Sequence, residues 1–207
     1  MDNLPGPAKH NITGVILAGG RGRRFGGEDK GLLDLNGEPM ARHVLSRLAP
    51  QVGEIVINAN RNQDAYAALG VRVISDRIGD YQGPLAGIAS ALHSVTTPYI
   101  VTAPCDSPLI GRDLVARLGT ALVAQNADIA IAHDGERLHP VFLLLKRSLQ
   151  ADLLAFLEAG ERRVDRWVAR QRVAVADFHD CPDAFINVND AGDLRALEER
   201  MQEAMTC

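Results

Sequence analysis

Short apolar runs alternate along this chain with segments whose apolar residues recur at helical spacing. The runs are mostly β-branched or apolar, as strands buried on both faces of a parallel sheet are. They predict strands at Ile12–Leu17, Glu54–Asn58, Val71–Ser75, Tyr99–Ala103, Ala127–Ala132, Val141–Leu145 and Arg172–Ala176. Because strands and helices alternate from end to end, we expect a three-layer α/β/α sandwich around a Rossmann-like, mainly parallel sheet.

Between the strands, apolar stripes at helical spacing predict helices. One stripe follows Pro84, which suits a first helical position, and consists of Leu85, Ile88, Ala89 and Leu92. A second stripe consists of Leu114, Val115, Leu118 and Leu122. The last helix is predicted to follow an N-cap at Asp190, with Asp193 in its first turn and an inward face of Leu194, Leu197 and Met201.

Length and composition narrow the class of protein. The 207 residues, 46% of them hydrophobic, suffice for one domain with a sizeable core. We expect a disordered tail over residues 1–10 and a single domain over residues 11–207. A net charge of −4 favours neither a nucleic-acid nor a membrane partner. With no signal peptide, no membrane-spanning stretch and no cysteine framework, we expect a cytoplasmic monomer.

The first predicted strand runs directly into a loop rich in glycine and arginine, from Leu17 to Gly31. Glycines let backbone N–H groups approach an anion closely, and basic side chains neutralise its charge. The loop is not a P-loop, because Gly31 follows Lys30 where that motif has Ser or Thr. It is not a dinucleotide fingerprint either, because Phe25 replaces the third glycine. We interpret it as a phosphate-binding loop, and the alternative is a flexible surface loop.

Polar residues follow other predicted strands, and open α/β sheets bind ligands at the carboxyl ends of their strands. Asp106, between Pro104 and Pro108, is the strongest candidate, because a partly buried carboxylate is costly unless it is paired or bound to a metal. We interpret Asp106 as the ligand of a Mg²⁺ ion whose other ligands include phosphates. The alternative is the N-cap of a helix beginning between residues 107 and 111.

The remaining strand ends allow two interpretations each. Asp76 contacts a nucleotide or its metal, or stabilises a turn. Asn58 and Asn60 offer amides to a base or ribose, or form Asx turns. Gly83, before Pro84, opens a helix whose free N–H groups suit a second anion, although an ordinary capped helix has the same sequence. His133 and His139 are expected to be surface residues.

The glycine loop resembles the nucleotidyltransferases whose first strand runs into Leu-Ala-Gly-Gly-x-x-x-Arg-x-Gly-x-x-Lys. Its second half, from Arg24 to Leu33, is more specifically similar to the molybdenum cofactor guanylyltransferases. The resemblance continues through the segments Gly83–Gly87, Glu161–Arg163 and Phe185–Asp190. It implies a sheet of the nucleotide-diphospho-sugar transferase (GT-A-like) type and transfer of GMP from GTP to the terminal phosphate of a molybdopterin-type cofactor.

The same resemblance implies roles for individual residues. GTP and Mg²⁺ would be bound by Leu17, Ala18, Gly19, Gly20, Lys30, Asn58, Asp76 and Asp106. The pterin side would be formed by Arg24, Gly27, Gly83, Gly87, Asn187 and Asn189. Lys30, Asp106 and Arg24 would be the catalytic residues, with Asp106 as the metal ligand. Cofactor-delivery proteins or molybdoenzyme chaperones would be the protein partners.

This set of residues suits a nucleophile that is already ionised. A terminal phosphate monoester needs positioning and charge neutralisation rather than a general base. The alternatives are a cytidylyltransferase or sugar-phosphate nucleotidyltransferase of the same superfamily, and a non-catalytic nucleotide or cofactor carrier. The related nucleotidyltransferases typically lack the second glycine of Ala18-Gly19-Gly20, and lack Asn58-Ala59-Asn60 followed by Arg61.

Overall fold

The computed structural model describes residues 6–20, 27–77 and 83–206, with side chains up to residue 202. Its strands are β1 (Ile12–Leu17), β2 (Asp34–Leu35), β3 (Glu38–Pro39), β4 (Glu54–Asn58), β5 (Arg72–Ile74), β6 (Tyr99–Pro104), β7 (Ile129–His133), β8 (Leu138–Lys146) and β9 (Val173–Asp177). Its helices are α1 (Met40–Leu48), α2 (Gln63–Ala67), α3 (Pro84–Ser94), α4 (Leu114–Ala124), α5 (Gln150–Glu158), α6 (Val164–Val168) and α7 (Ala191–Thr206). None of the helices in these ranges combines the length and the apolar sequence that crossing a bilayer would need.

Seven strands form one sheet in the order β5-β4-β1-β6-β8-β7-β9, and β2 and β3 form a separate hairpin. Four neighbouring pairs in the large sheet run parallel: β4 with β5, β1 with β4, β1 with β6, and β7 with β9. Strand β8 runs antiparallel to both β6 and β7. The mainly parallel sheet is confirmed, with a reversed strand that the sequence reasoning did not foresee.

Helices cover both faces of the sheet. Because successive side chains of a strand point to opposite faces, Ile16 of β1 packs into one core and Val15 into the other. Residues of α1, α2 and α4 complete the first core, and residues of α3, α5 and α6 complete the second. The predicted three-layer sandwich is therefore confirmed.

The ends of two helices match the sequence predictions. Helix α3 begins at Pro84, as predicted. At the start of α7, Oδ1 of Asp190 accepts hydrogen bonds from the backbone N–H groups of Gly192 at 2.8 Å and Asp193 at 3.0 Å, which confirms the N-cap. Leu197 of this helix is buried in a small third core with Leu35, Met40 and Val188, so α7 is packed against the hairpin and the start of α1.

The segment before β1 packs against the domain. A Cβ on Gly119 of α4 would lie only 3.1 Å from Cδ of Pro7 and 3.2 Å from Cα of Gly6, so the two backbones approach closely. Residues Lys9–Asn11 form a single 3-10 turn that leads into β1. Residues 6–10, expected to belong to a disordered tail, are thus in contact with the domain, and residues 1–5 lie outside the described residues.

Candidate active site

The carboxyl ends of four parallel strands meet at one edge of the sheet. Leu17, the last residue of β1, pairs in register with Asn58 of β4 and Pro104 of β6. Beyond the strands, the N–H of Ala18 donates to the carbonyl of Asn58 at 2.8 Å, and the N–H of Cys105 donates to that of Leu17 at 3.0 Å. The polar residues that follow these strands in the sequence are therefore neighbours in space.

Three of these residues, Asn58, Asn60 and Asp76, form a hydrogen-bonded group, here called the asparagine cluster. The amide of Asn58 donates to Oδ1 of Asp76 at 3.0 Å, and the amide of Asn60 donates to Oδ2 at 2.7 Å. The backbone N–H of Asp76 returns a bond to Oδ1 of Asn60 at 2.8 Å. Both carboxylate oxygens thus accept from amides, which fixes the orientation of the two asparagine side chains.

Two glycines lie against the asparagine cluster. A Cβ on Gly19 would be 3.4 Å from Nδ2 of Asn60 and 3.6 Å from Oδ1 of Asn58. A Cβ on Gly87, in the first turns of α3, would overlap Oδ1 of Asn58. The close approach of α3 to Asn58 therefore requires glycine at position 87, and it brings Gly87 to the same edge as Gly19.

Lys30 and Asp106 form the second part of the site, here called the lysine–aspartate centre. Nζ of Lys30 lies 3.0 Å from Oδ2 of Asp106, and the two side chains are 22% and 17% exposed. The same ammonium donates to the carbonyl of Val188 at 3.0 Å and to Oδ1 of Asn189 at 3.3 Å. Lys30 therefore joins the glycine loop, the end of β6 and the segment that precedes α7.

Asp106 does not cap a helix. The next helix, α4, begins at Leu114 with Asp113 at its N-cap position, so the alternative interpretation of Asp106 is wrong. Instead, its carbonyl accepts from the N–H of Val188 at 2.9 Å, and the neighbouring Ser107 hydroxyl lies 2.5 Å from Oδ1 of Asn187. These bonds bring Asn187 and Asn189 against the end of β6.

The donor set around Asp106 fits magnesium bound together with a phosphate ligand. Within the described ranges, no three His, Cys, Asp or Glu side chains are grouped closely enough to hold a metal by themselves. Mg²⁺ commonly binds through one or two carboxylates while phosphates and water supply its other ligands. Asp106 is a partly exposed carboxylate of this kind, and it is already paired with a cation, the Lys30 ammonium.

A cavity of about 270 Å³ opens beside Asn187 and Asn189, and its other walls include Asp134, Arg137, His139 and Phe185. His139 is only 7% exposed, so its prediction as a surface residue is wrong. Its ring stacks on Phe185 with centroids 4.3 Å apart, and Nε2 lies 2.7 Å from Oδ2 of Asp134. The reversed strand β8 carries His139 inward, which the spacing of two histidines in sequence does not reveal.

Two buried side chains near the site, the Cys105 thiol and the Tyr66 phenol, keep their neutral forms. Burial, followed by the nearby Asp106 charge, raises the pKa of the Cys105 thiol well above its ordinary value. Burial also raises the pKa of the Tyr66 phenol. Cys105 is therefore a packed thiol rather than a nucleophile.

The remaining candidates are distributed as follows. Gly20 and Gly27 are the described residues on either side of positions 21–26, and Arg24 lies outside the described residues. Gly83, with a positive φ of 82°, occupies the N-cap position of α3. Arg163 occupies the N-cap position of α6 and pairs with Asp165 at 2.5 Å.

Known proteins resemble this chain in sequence over most of its length. A family model described as "MobA-like NTP transferase domain" matches residues 14–175. The molybdenum cofactor guanylyltransferase of Shewanella sp. (strain MR-4) is 54% identical over 178 residues, which span 86% of this chain and 90% of that protein. The protein of the same name from Shewanella sediminis (strain HAW-EB3) is 51% identical over 188 residues, which span 91% and 96%.

Solved structures share the fold. The molybdopterin-guanine dinucleotide biosynthesis protein A from Archaeoglobus fulgidus superposes with a TM-score of 0.76 at 23% identity, covering 92% of this chain and 99% of that one. A CMP:2-keto-3-deoxy-manno-octonic acid synthetase, solved with CTP, gives a TM-score of 0.72 at 16% identity over 95% and 100% of the two chains. At these identities the likeness shows the fold alone.

Proposed function

Because the chain belongs to the family of MobA-like NTP transferases, we propose that it transfers GMP from GTP to the terminal phosphate of the molybdenum–molybdopterin cofactor. The products are the guanine dinucleotide form of the cofactor and pyrophosphate. The observation that carries this proposal is the position of Lys30, whose ammonium contacts both Asp106 and Asn189.

On the donor side, the asparagine cluster and Gly19 offer polar groups for the nucleoside at the ends of β1, β4 and β5. Amide groups can both donate and accept, which suits a guanine or a ribose. The backbone from Leu17, the last residue of β1, to Gly20 lies at the same edge. We assign Leu17, Ala18, Gly19, Gly20, Asn58 and Asp76 to nucleotide binding.

On the acceptor side, the cavity beside Asn187 and Asn189 offers a polar pocket with an aromatic wall at Phe185. An aromatic ring and amide groups suit a flat heterocycle such as a pterin. We assign Asn187 and Asn189 to this side, together with Gly27, Gly83 and Arg24, whereas Gly87, which the resemblance also assigns here, packs against Asn58 on the nucleotide side.

The reaction needs no general base. The acceptor phosphate attacks the α-phosphorus of GTP, a new P–O bond forms, and the bond from that phosphorus to the bridging oxygen breaks as pyrophosphate leaves. Lys30 is placed to neutralise charge on the triphosphate, which is the main requirement for such a transfer. Mg²⁺ held by Asp106 would supply further neutralisation of the phosphate oxygens.

The proposal extends to the protein as a whole. The chain acts as a single domain and as a monomer, in the cytoplasm, with Mg²⁺ as the cofactor. Cofactor-delivery proteins or molybdoenzyme chaperones receive the product, and neither nucleic acid nor membrane takes part.

Labelled GTP tests the direction of transfer. With phosphorus-32 at the α position, the label should appear in the cofactor product, whereas a γ label should leave as pyrophosphate. A γ label in the cofactor would mean phosphorylation instead. If GTP binds but neither label enters the cofactor product, a carrier would be favoured.

A further inference from the structure

The side chain of Arg61, just before α2, contacts two backbone carbonyls within the glycine loop. Its Nη1 donates to the carbonyl of Gly27 at 3.0 Å, and its Nη2 donates to the carbonyl of Gly20 at 3.3 Å. A guanidinium presents several donors in one rigid plane, and a lysine ammonium at this position could not reproduce that fork. Arg61 therefore ties residue 20 to residue 27.

A second set of contacts holds the residue that precedes Lys30. Asp29 is only 7% exposed, and its Oδ1 accepts from the hydroxyl of Tyr66 at 2.5 Å. Its Oδ2 accepts from the amide of Asn62 at 3.3 Å. Tyr66 is fully buried, and burial raises the pKa of its phenol, so the hydroxyl keeps its proton and remains a donor.

Tyr66 also bounds the residue that follows Lys30. A Cβ on Gly31 would overlap the Tyr66 hydroxyl and would lie 3.1 Å from Cβ of Cys105. The backbone on both sides of Lys30 is thus fixed by one tyrosine, through a hydrogen bond at Asp29 and through packing at Gly31.

We infer that Arg61 and Tyr66 are positioning residues, which hold Gly20 and residues 27–31 so that the Lys30 ammonium lies at Asp106. They act through the backbone and through Asp29 rather than by touching the reacting atoms. The inference rests on the proposed function only in that Lys30 is taken to meet the triphosphate.

Tyr66→Phe removes the hydroxyl and keeps the ring that fills the core. A lost hydrogen bond to a buried carboxylate should weaken GTP binding about tenfold through the displaced Lys30, while GMP binding changes less than about twofold. Titration calorimetry with both nucleotides measures this. Tyr99→Phe, at the opposite end of β6, is the matched control and should leave both affinities unchanged.

Arg61→Lys keeps the positive charge and loses the fork between two carbonyls. The GTP affinity should fall several-fold with an unchanged melting temperature, because the half-buried side chain is not part of the core. Arg72→Lys is the matched control, since Arg72 also donates to a backbone carbonyl, that of Ser94 at 3.1 Å, on an exposed part of β5.

A double mutant separates this inference from the function on which it rests. In a Lys30→Ala background, Tyr66→Phe should no longer change GTP affinity, because its effect passes through Lys30. Parent-like GTP binding by both Tyr66→Phe and Arg61→Lys, or an undiminished Tyr66→Phe effect in that background, would overturn the inference. Equal weakening of GTP and GMP by Lys30→Ala alone would instead overturn the proposed role of Lys30.

Discussion

The asparagine cluster and the lysine–aspartate centre share one edge of the sheet, yet they are built in different ways. The cluster joins residues 16 to 18 positions apart by bonds from neutral amides to one carboxylate. The centre joins residues 76 to 159 positions apart by bonds from one ammonium. The asparagine cluster forms from residues at the ends of two adjacent strands. The lysine–aspartate centre forms only when three segments that are distant in sequence come together.

This difference suggests that the asparagine cluster recognises the nucleoside and that the lysine–aspartate centre binds the phosphates. Side chains that satisfy one another are preorganised, so they can recognise a nucleoside at little cost in ordering. The centre instead pairs opposite charges, and Mg²⁺ held by the Asp106 carboxylate would bring phosphates beside the Lys30 ammonium, which lies 3.0 Å from Oδ2.

The largest effect is expected at Asp106. Asp106→Ala should lower kcat by about 10²–10³, which corresponds to about 3–4 kcal/mol of transition-state stabilisation. Pyrophosphate release under saturating GTP measures it. Asp128→Ala is a matched control, because it also removes a lysine partner, Lys146 at 2.8 Å, at the far end of the sheet, and it should keep kcat. If the Asp106→Ala enzyme folds and keeps the parental turnover, Asp106 is not the ligand of a catalytic metal.

A smaller and more selective effect is expected at Lys30. Lys30→Ala should weaken GTP binding by about 10–100-fold, because bonds to charged groups contribute about 1.5–3 kcal/mol, and it should weaken GMP binding much less. Calorimetric titration with the two nucleotides gives the ratio, and Lys146→Ala is the control. An equal loss for GTP and GMP would place Lys30 away from the β and γ phosphates.

The smallest effect is expected at the asparagine cluster. Asn60→Ala removes one of the two amides that hold Asp76, so GTP and GMP should each bind about fivefold more weakly, by about 1 kcal/mol. The same titrations measure the change. If Asn60→Ala weakened the binding of GTP alone, the asparagine cluster would act on the phosphates and not on the nucleoside, contrary to this account.

Local sequence patterns predicted the sheet well where a strand is buried on both faces. The observed bounds of β1 and β4 match the prediction, because the apolar run of β1 gives way to Ala18-Gly19-Gly20 and that of β4 ends at the polar Asn58. The reversal of β8 was not predicted, although the short connection between His133 and Leu138 is too small for a parallel crossover and could have indicated a hairpin.

The site was only partly accessible to sequence reasoning. The rule that ligands bind at strand ends brought Asn58, Asp76 and Asp106 together, because it depends only on strand direction. The bonds from Lys30 to Val188 and Asn189, and the burial of His139, depend on how α7 and β8 pack, which no local spacing encodes. Resemblance alone pointed to Asn187 and Asn189.

The most direct test compares GTP, ATP and CTP as donors, by pyrophosphate release with a molybdopterin-containing acceptor. A site that recognises guanine by hydrogen bonds leaves buried polar groups unpaired when another base enters. We therefore expect GTP to exceed ATP and CTP in kcat/KM by at least about 100-fold, or about 2.7 kcal/mol. A higher kcat/KM with CTP would contradict the account and indicate a cytidylyltransferase, and GTP binding without reaction of any donor would indicate a carrier.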